Sequence, residues 1–116
     1  MKRKTLIFLA LLIFLFTAFG CSPSISVNKP PVITSTPVST AKVGVEYSYN
    51  VFATDPNGDD LTYSLLAFPD GMTINPSTGL ISWVPAESQV RQYEIEVEVS
   101  DGELSITQNF TVTVSL

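Results

Sequence analysis

Residues 93–114 read YEIEVEVSDGELSITQNFTVTV. Tyr93, Ile95, Val97 and Val99 alternate with Glu94, Glu96 and Glu98. Beyond Asp101-Gly102, Ile106, Gln108, Phe110, Val112 and Val114 alternate with Thr107, Asn109, Thr111 and Thr113. A period of two sends successive side chains to opposite faces of an extended chain, so each run predicts a strand with one buried and one wet face. The Asp-Gly pair between them predicts a hairpin turn of the favoured kind.

The same rhythm continues upstream. Val32 to Thr36 is a short strand ended by Pro37, and Gly44 precedes a run in which Tyr47, Tyr49, Val51 and Ala53 share a face. Asp55-Pro56-Asn57-Gly58-Asp59 is a turn, and Leu61, Tyr63 and Leu65 form the next inward row. Pro69-Asp70-Gly71 breaks the chain before Met72 and Ile74, and Asn75-Pro76-Ser77-Thr78-Gly79 breaks it before Ile81 and Trp83. Pro85 to Val90 reads as a longer loop. This makes about seven strands with a turn every eight to twelve residues, the pattern of a two-sheet sandwich. No helical period lasts beyond a turn or two, which excludes a parallel α/β fold with crossover helices. Trp83 and the four tyrosines read as core, with a binding platform as the alternative. Gly71 and Gly79 sit where a tight connection needs positive φ or tolerates no side chain.

The two ends of the chain differ in character. Residues 1–20 carry Lys2, Arg3 and Lys4, then the unbroken apolar run Leu6 to Phe16, then small residues, which is the plan of a signal peptide. Ala18-Phe19-Gly20-Cys21 resembles the bacterial lipobox, with Ala18, Gly20 and Cys21 carrying the match and Phe19 bulkier than usual. The resemblance implies cleavage before Cys21 and lipidation of its thiol. It also implies palmitate-bearing attachment to a bacterial cell envelope, at the outer membrane or cell surface. Residues 21–30 then form the lipidated cysteine and a Ser- and Pro-rich tether, leaving residues 31–116 as the sandwich domain.

After the signal stretch, three positive charges face eleven acidic residues, a formal charge of −8. That sign argues against nucleic acid as a partner. There is no histidine, and Cys21 is the sole cysteine, so disulfides, thiolate metal sites and Cys-X-X-Cys redox chemistry are excluded. No nucleophile stands at a recognisable spacing from a base. Asp59 and Asp60 are neighbours in a turn, and Glu94, Glu96 and Glu98 line one strand face. Neither arrangement reads as two acids across a cleft. The expectation is that the chain is not an enzyme.

Three pieces carry a second resemblance: YSYNVFATDPNGDDLTYSL from Tyr47, PDGMTINPSTGLISWVP from Pro69, and YEIEVEVSDG from Tyr93 followed by FTVTV from Phe110. In this order and spacing they are similar to the dystroglycan-type cadherin-like, or putative Ig (He-PIG), domain. The resemblance implies an Ig-like Greek-key β-sandwich acting as a non-catalytic structural, adhesion or protein-interaction module, with glycan binding as the alternative. An enzyme with an unrecognised acidic site is the remoter alternative. The expected partners are the membrane, through the lipid, and an envelope protein or a glycan. In such a sandwich the second-to-third-strand loop and the last hairpin share an end with the incoming chain. Cadherin-type sites use acidic residues there, which implies a weak Ca²⁺ site at Asn28, Asp55, Asn57 and Asp101, and the same loop brings Asp59 close to them. The bland alternative is that Asp55 caps its own turn while Asp59 and Asp60 are merely solvated.

Overall fold

The computed structural model describes residues 27–116; the signal peptide and Cys21 read from the sequence lie outside them. Nine strands run in order: β1 (Val32–Ile33), β2 (Thr40–Lys42), β3 (Tyr47–Asn50), β4 (Ala53–Thr54), β5 (Thr62–Ala67), β6 (Thr73–Ile74), β7 (Leu80–Trp83), β8 (Gln92–Ser100) and β9 (Ser105–Ser115). One layer runs β2-β9-β8-β5 and the other β3-β7-β6, with β1 paired to β4 where the chain continues beyond β3. This is the all-β, Ig-like sandwich expected.

Nine strands stand where about seven are expected, for two reasons. The run from Tyr47 to Ala53 is one extended path divided at Val51–Phe52. There Val51 N–H donates to the Gly79 carbonyl (2.9 Å) and the Phe52 carbonyl accepts from Thr34 N–H (2.9 Å). The second reason is β2, three residues between Pro37 and Gly44 that are too few to show a period. It pairs parallel with β9, Thr40 to Thr113 through Lys42 to Ser115. The Asp101-Gly102 turn also differs from expectation. Ser100 pairs with Ser105, leaving a four-residue loop. Its shape comes from Asp101, whose Oδ1 accepts from Glu103 N–H (2.8 Å) and Leu104 N–H (2.7 Å).

The inward rows meet in one core. Tyr47, Tyr49, Val51, Met72, Ile81 and Trp83 face Tyr63, Ile95, Val97, Val99, Val112 and Val114, all buried. Trp83 is 2 % exposed and meets Tyr47 and Tyr93 edge to face, at centroid distances of 6.3 and 5.5 Å. Buried polar groups need partners, and Ser35, Tyr49 and Gln108 are joined in a ring beside this core. Phe52 N–H donates to Ser35 Oγ (2.9 Å), and Ser35 donates to the Tyr49 hydroxyl (2.7 Å). Tyr49 in turn donates to Gln108 Oε1 (2.9 Å), whose amide returns to the Ser35 carbonyl (3.1 Å). Gln108, the polar member of an otherwise apolar row, is thereby satisfied.

A bulge at Leu66 breaks the register of β5 against β8: Leu65 faces Val97 and Ala67 faces Glu96. An extra residue bends a strand and re-aims the side chains beyond it. Here the next segment begins with Phe68, half exposed, ahead of the Pro69–Gly71 turn.

Candidate acidic pole

Three loops meet where β8 ends and the chain comes in. Asp55 and Asp59 lie in the turn after β4, Asp101 follows β8, and Asn28 arrives with the leading segment. One carboxylate oxygen from each of Asp55, Asp59 and Asp101 lies within 4.8 Å of the others. Asn28 Nδ2 donates to Asp101 Oδ2 (3.0 Å), and Lys29 N–H donates to Asn57 Oδ1 (2.8 Å). All five residues proposed from the sequence are thus gathered at one pole, although only three of them group by their carboxylates.

The alternative reading of Asp55 is half right. Its Oδ2 caps the turn, accepting from Asn57 N–H (2.9 Å) and Asp59 N–H (3.0 Å). Its Oδ1 is buried with no hydrogen-bond partner among the described residues. A buried acceptor left unpaired costs free energy, and a cation would remove that cost. The two remaining carboxyls are pushed apart. Desolvation, then the charges of Asp55 and Asp101, raise the Asp59 carboxyl above the usual carboxylate range. Hydrogen bonds from the Leu104 and Glu103 backbone hold Asp101 below it. By linkage, Asp101 contributes stability above its unfolded pKa that is lost as pH falls through its lowered folded value. Asp59 does the reverse: its contribution is favourable in acid and is lost as pH rises through its raised value. At neutral pH without a cation, Asp59 is therefore the strained member.

Asp59 also borders an open cleft of about 550 Å³ with Asp60, Leu61, Tyr63 and Pro76. Asp59, read from the sequence both as a turn neighbour of Asp60 and as a member of the calcium group, lies with Asp55 and Asp101.

Comparisons with known proteins agree with the fold and correct one expectation. A family described as He_PIG, Putative Ig domain, matches residues 30–115. Integrin beta-like protein A of Dictyostelium discoideum is 32% identical over 80 residues, 65% of this chain and 4% of that protein. Chitinase A of Pseudoalteromonas piscicida is 30% identical over 95 residues, 81% of this chain and 11% of that protein. Among solved structures, the endo-fucoidan hydrolase MfFcnA4 of glycoside hydrolase family 107 aligns at TM-score 0.64 and 25% identity, over 74% of this chain and 14% of that one. Human protocadherin-24 EC1-2 aligns at TM-score 0.59 and 20% identity, over 77% and 44%. The chain spans a small fraction of each curated relative. Glycoside hydrolases among its relatives, together with the converging carboxylates, overturn the expectation that the chain is not an enzyme. What stands is an interaction-type β-sandwich related to adhesion and carbohydrate-active folds.

Proposed function

We propose, because the chain belongs to the putative Ig domain family, that it is a cell-envelope display module: lipid-anchored through Cys21, braced by Ca²⁺ at its acidic pole, and presenting the rest of its surface to a protein or glycan partner. The observation that supports this reading is the convergence of Asp55, Asp59 and Asp101 on the leading segment, with Asn28 bonded to Asp101. Calcium takes six to eight oxygen ligands. The three carboxylates, the carbonyl oxygens of Asn28 and Asn57, backbone carbonyls and water would supply them, with the orphaned Asp55 Oδ1 among them. A bound ion would offset the mutual repulsion that raises Asp59 and would fix the leading segment against the domain. With three carboxylates the affinity belongs in the extracellular range, about 0.1–1 mM.

Titrating residues 24–116 with Ca²⁺ tests this. At 5 mM the stabilisation is about 1–2 kcal/mol by mass action, a rise in melting temperature of roughly 5–15 °C. Asp55→Ala with Asp101→Ala abolishes the rise; an equal rise in that variant removes the site. Asp59→Asn behaves differently. Without calcium at pH 7 it melts higher than wild type, because it deletes a disfavoured charge. The advantage disappears as pH falls through the raised value of Asp59 and its carboxyl takes up a proton. In millimolar calcium the order reverses.

Anchoring is tested separately by metabolic labelling of the producing bacterium with a fatty acid. Wild type takes up label and Cys21→Ala takes up none. Equal labelling ends the lipoprotein reading.

A further inference from the structure

At the pole opposite the acidic cluster an open cleft of about 510 Å³ is lined by Phe68, Asp70, Ser88, Gln89, Arg91 and Tyr93. We propose that this cleft binds one or two residues of a neutral glycan. The proposal deepens the interaction reading by naming a ligand class and a place for it, and it shares no residue with the calcium pole.

The cleft is built in advance of any ligand. Gln89 ties its two walls together: its Oε1 accepts from Ala86 N–H (2.9 Å) while its Nε2 donates to the Asp70 carbonyl (3.0 Å). Tyr93 forms part of the wall, with the buried Trp83 edge-on to its ring and the Arg91 guanidinium 4.6 Å above the ring centroid. The bulge at Leu66 turns the chain so that Phe68 stands half exposed at the rim. Such a framework costs little ordering on binding.

Among the described residues the side chains of Asp70, Ser88 and Arg91 accept or donate no hydrogen bond. The indole Nε1 of Trp83, 2 % exposed, is also unpaired and lies against Gly71, where an added Cβ would sit 3.8 Å from it. A planar carboxylate that accepts, a planar guanidinium that donates and a hydroxyl that does both match the adjacent hydroxyls of a pyranose ring, while an exposed phenyl ring offers a surface for its C–H face. The volume falls in the range of small-molecule sites. The charge selects within the class. Asp70 and Arg91 cancel, and the exported chain at −8 repels sulfated or uronic chains. β8 runs from Gln92 beside the cleft to Ser100 beside the acidic pole, a separation of about 27 Å at strand rise. The cleft therefore faces away from the side on which the chain comes in.

Trp83 is the sole tryptophan, so its indole N–H gives one identifiable resonance in an ¹H–¹⁵N spectrum of the ¹⁵N-labelled full chain in a non-glycosidic detergent. The probes are cellohexaose, mannohexaose, xylohexaose and chitohexaose, with polygalacturonate oligomers as the anionic arm. At least one neutral probe is expected to shift the Trp83 resonance with saturation at millimolar concentration. Asp70→Asn and Phe68→Ala, both at exposed positions, should each weaken that probe about tenfold, the first by losing a charge-assisted hydrogen bond and the second by losing the apolar contact of the ring with the sugar face. Asp55→Ala should leave the glycan affinity unchanged, which keeps this result independent of the calcium reading. The proposal is overturned by no shift with any neutral probe at 10 mM, by preferential binding of the anionic oligomers, or by unchanged affinity in both cleft variants.

Discussion

Trp83→Ala lowers the stability of the folded domain by about 3–5 kcal/mol, a large share of the roughly 5–13 kcal/mol available to a domain of this size. The ring is 2 % exposed, so the substitution removes a large apolar surface from the centre of the sandwich and leaves a cavity between the layers. Two edge-to-face contacts go with it, to Tyr47 and Tyr93, each worth about 0.5–1.5 kcal/mol and contained in that total. The indole N–H has no partner among the described residues, so losing it costs nothing in hydrogen bonding. Trp83→Phe should therefore fall well short of the alanine variant, at about 1–2 kcal/mol. Urea unfolding followed by circular dichroism measures both. A loss under about 1 kcal/mol in Trp83→Ala would contradict burial of the ring.

Gly79→Ala costs nearly as much without removing an atom. Gly79 has φ of 79°, and a Cβ there would sit 2.6 Å from the Val51 carbonyl oxygen and 3.0 Å from the Tyr63 ring. The left-handed conformation alone costs a side chain about 1–2 kcal/mol, and the overlap adds about 1–3 kcal/mol. The backbone oxygen cannot move freely, because Val51 N–H is bonded to the Gly79 carbonyl where β3 ends. The expected total is about 2–5 kcal/mol, with melting lowered by roughly 10–25 °C. Gly58→Ala is the control: its φ is 76°, but an added Cβ would meet nothing within 4 Å. The difference between the two melting temperatures isolates the contact. Equal losses in the two variants would show that Gly79 is not pressed against Val51.

The alternation that begins at Tyr93 made the architecture legible, because burial of one face leaves a two-residue period that survives without neighbours. It worked for β8, where Ile95, Val97 and Val99 are buried against half-buried or exposed glutamates. It failed where pairing is set by geometry rather than by pattern. β2 has one buried residue, Ala41, and exists because β9 offers it a free edge. The acidic pole was legible in its members, since turn residues mark the loops and a sandwich places those loops at one end. It was not legible in its consequences. That Asp55 leaves Oδ1 unpaired, and that Asp59 and Asp101 separate in acidity, depend on distances no spacing encodes. The glycan cleft left no sequence signal, because Phe68, Asp70 and Arg91 each read as ordinary turn or surface residues until the bulge at Leu66 and the Gln89 clasp bring them together.

The parallel pairing of β2 with β9 governs how the domain carries tension. The chain comes in at the acidic pole beside Asp101, whereas β9 runs away from that pole to end at Ser115. A pull applied between Asn28 and Leu116 drags β2 toward one pole and β9 toward the other, along the strand axis. The bonds joining them, Thr113 N–H to the Ser39 carbonyl and Val43 N–H to the Ser115 carbonyl among them, lie across that axis. They are loaded in shear and must fail together rather than open one rung at a time as in a zipper. The three residues of β2 thus meet such a pull lengthwise, with their bonds to β9 loaded side by side.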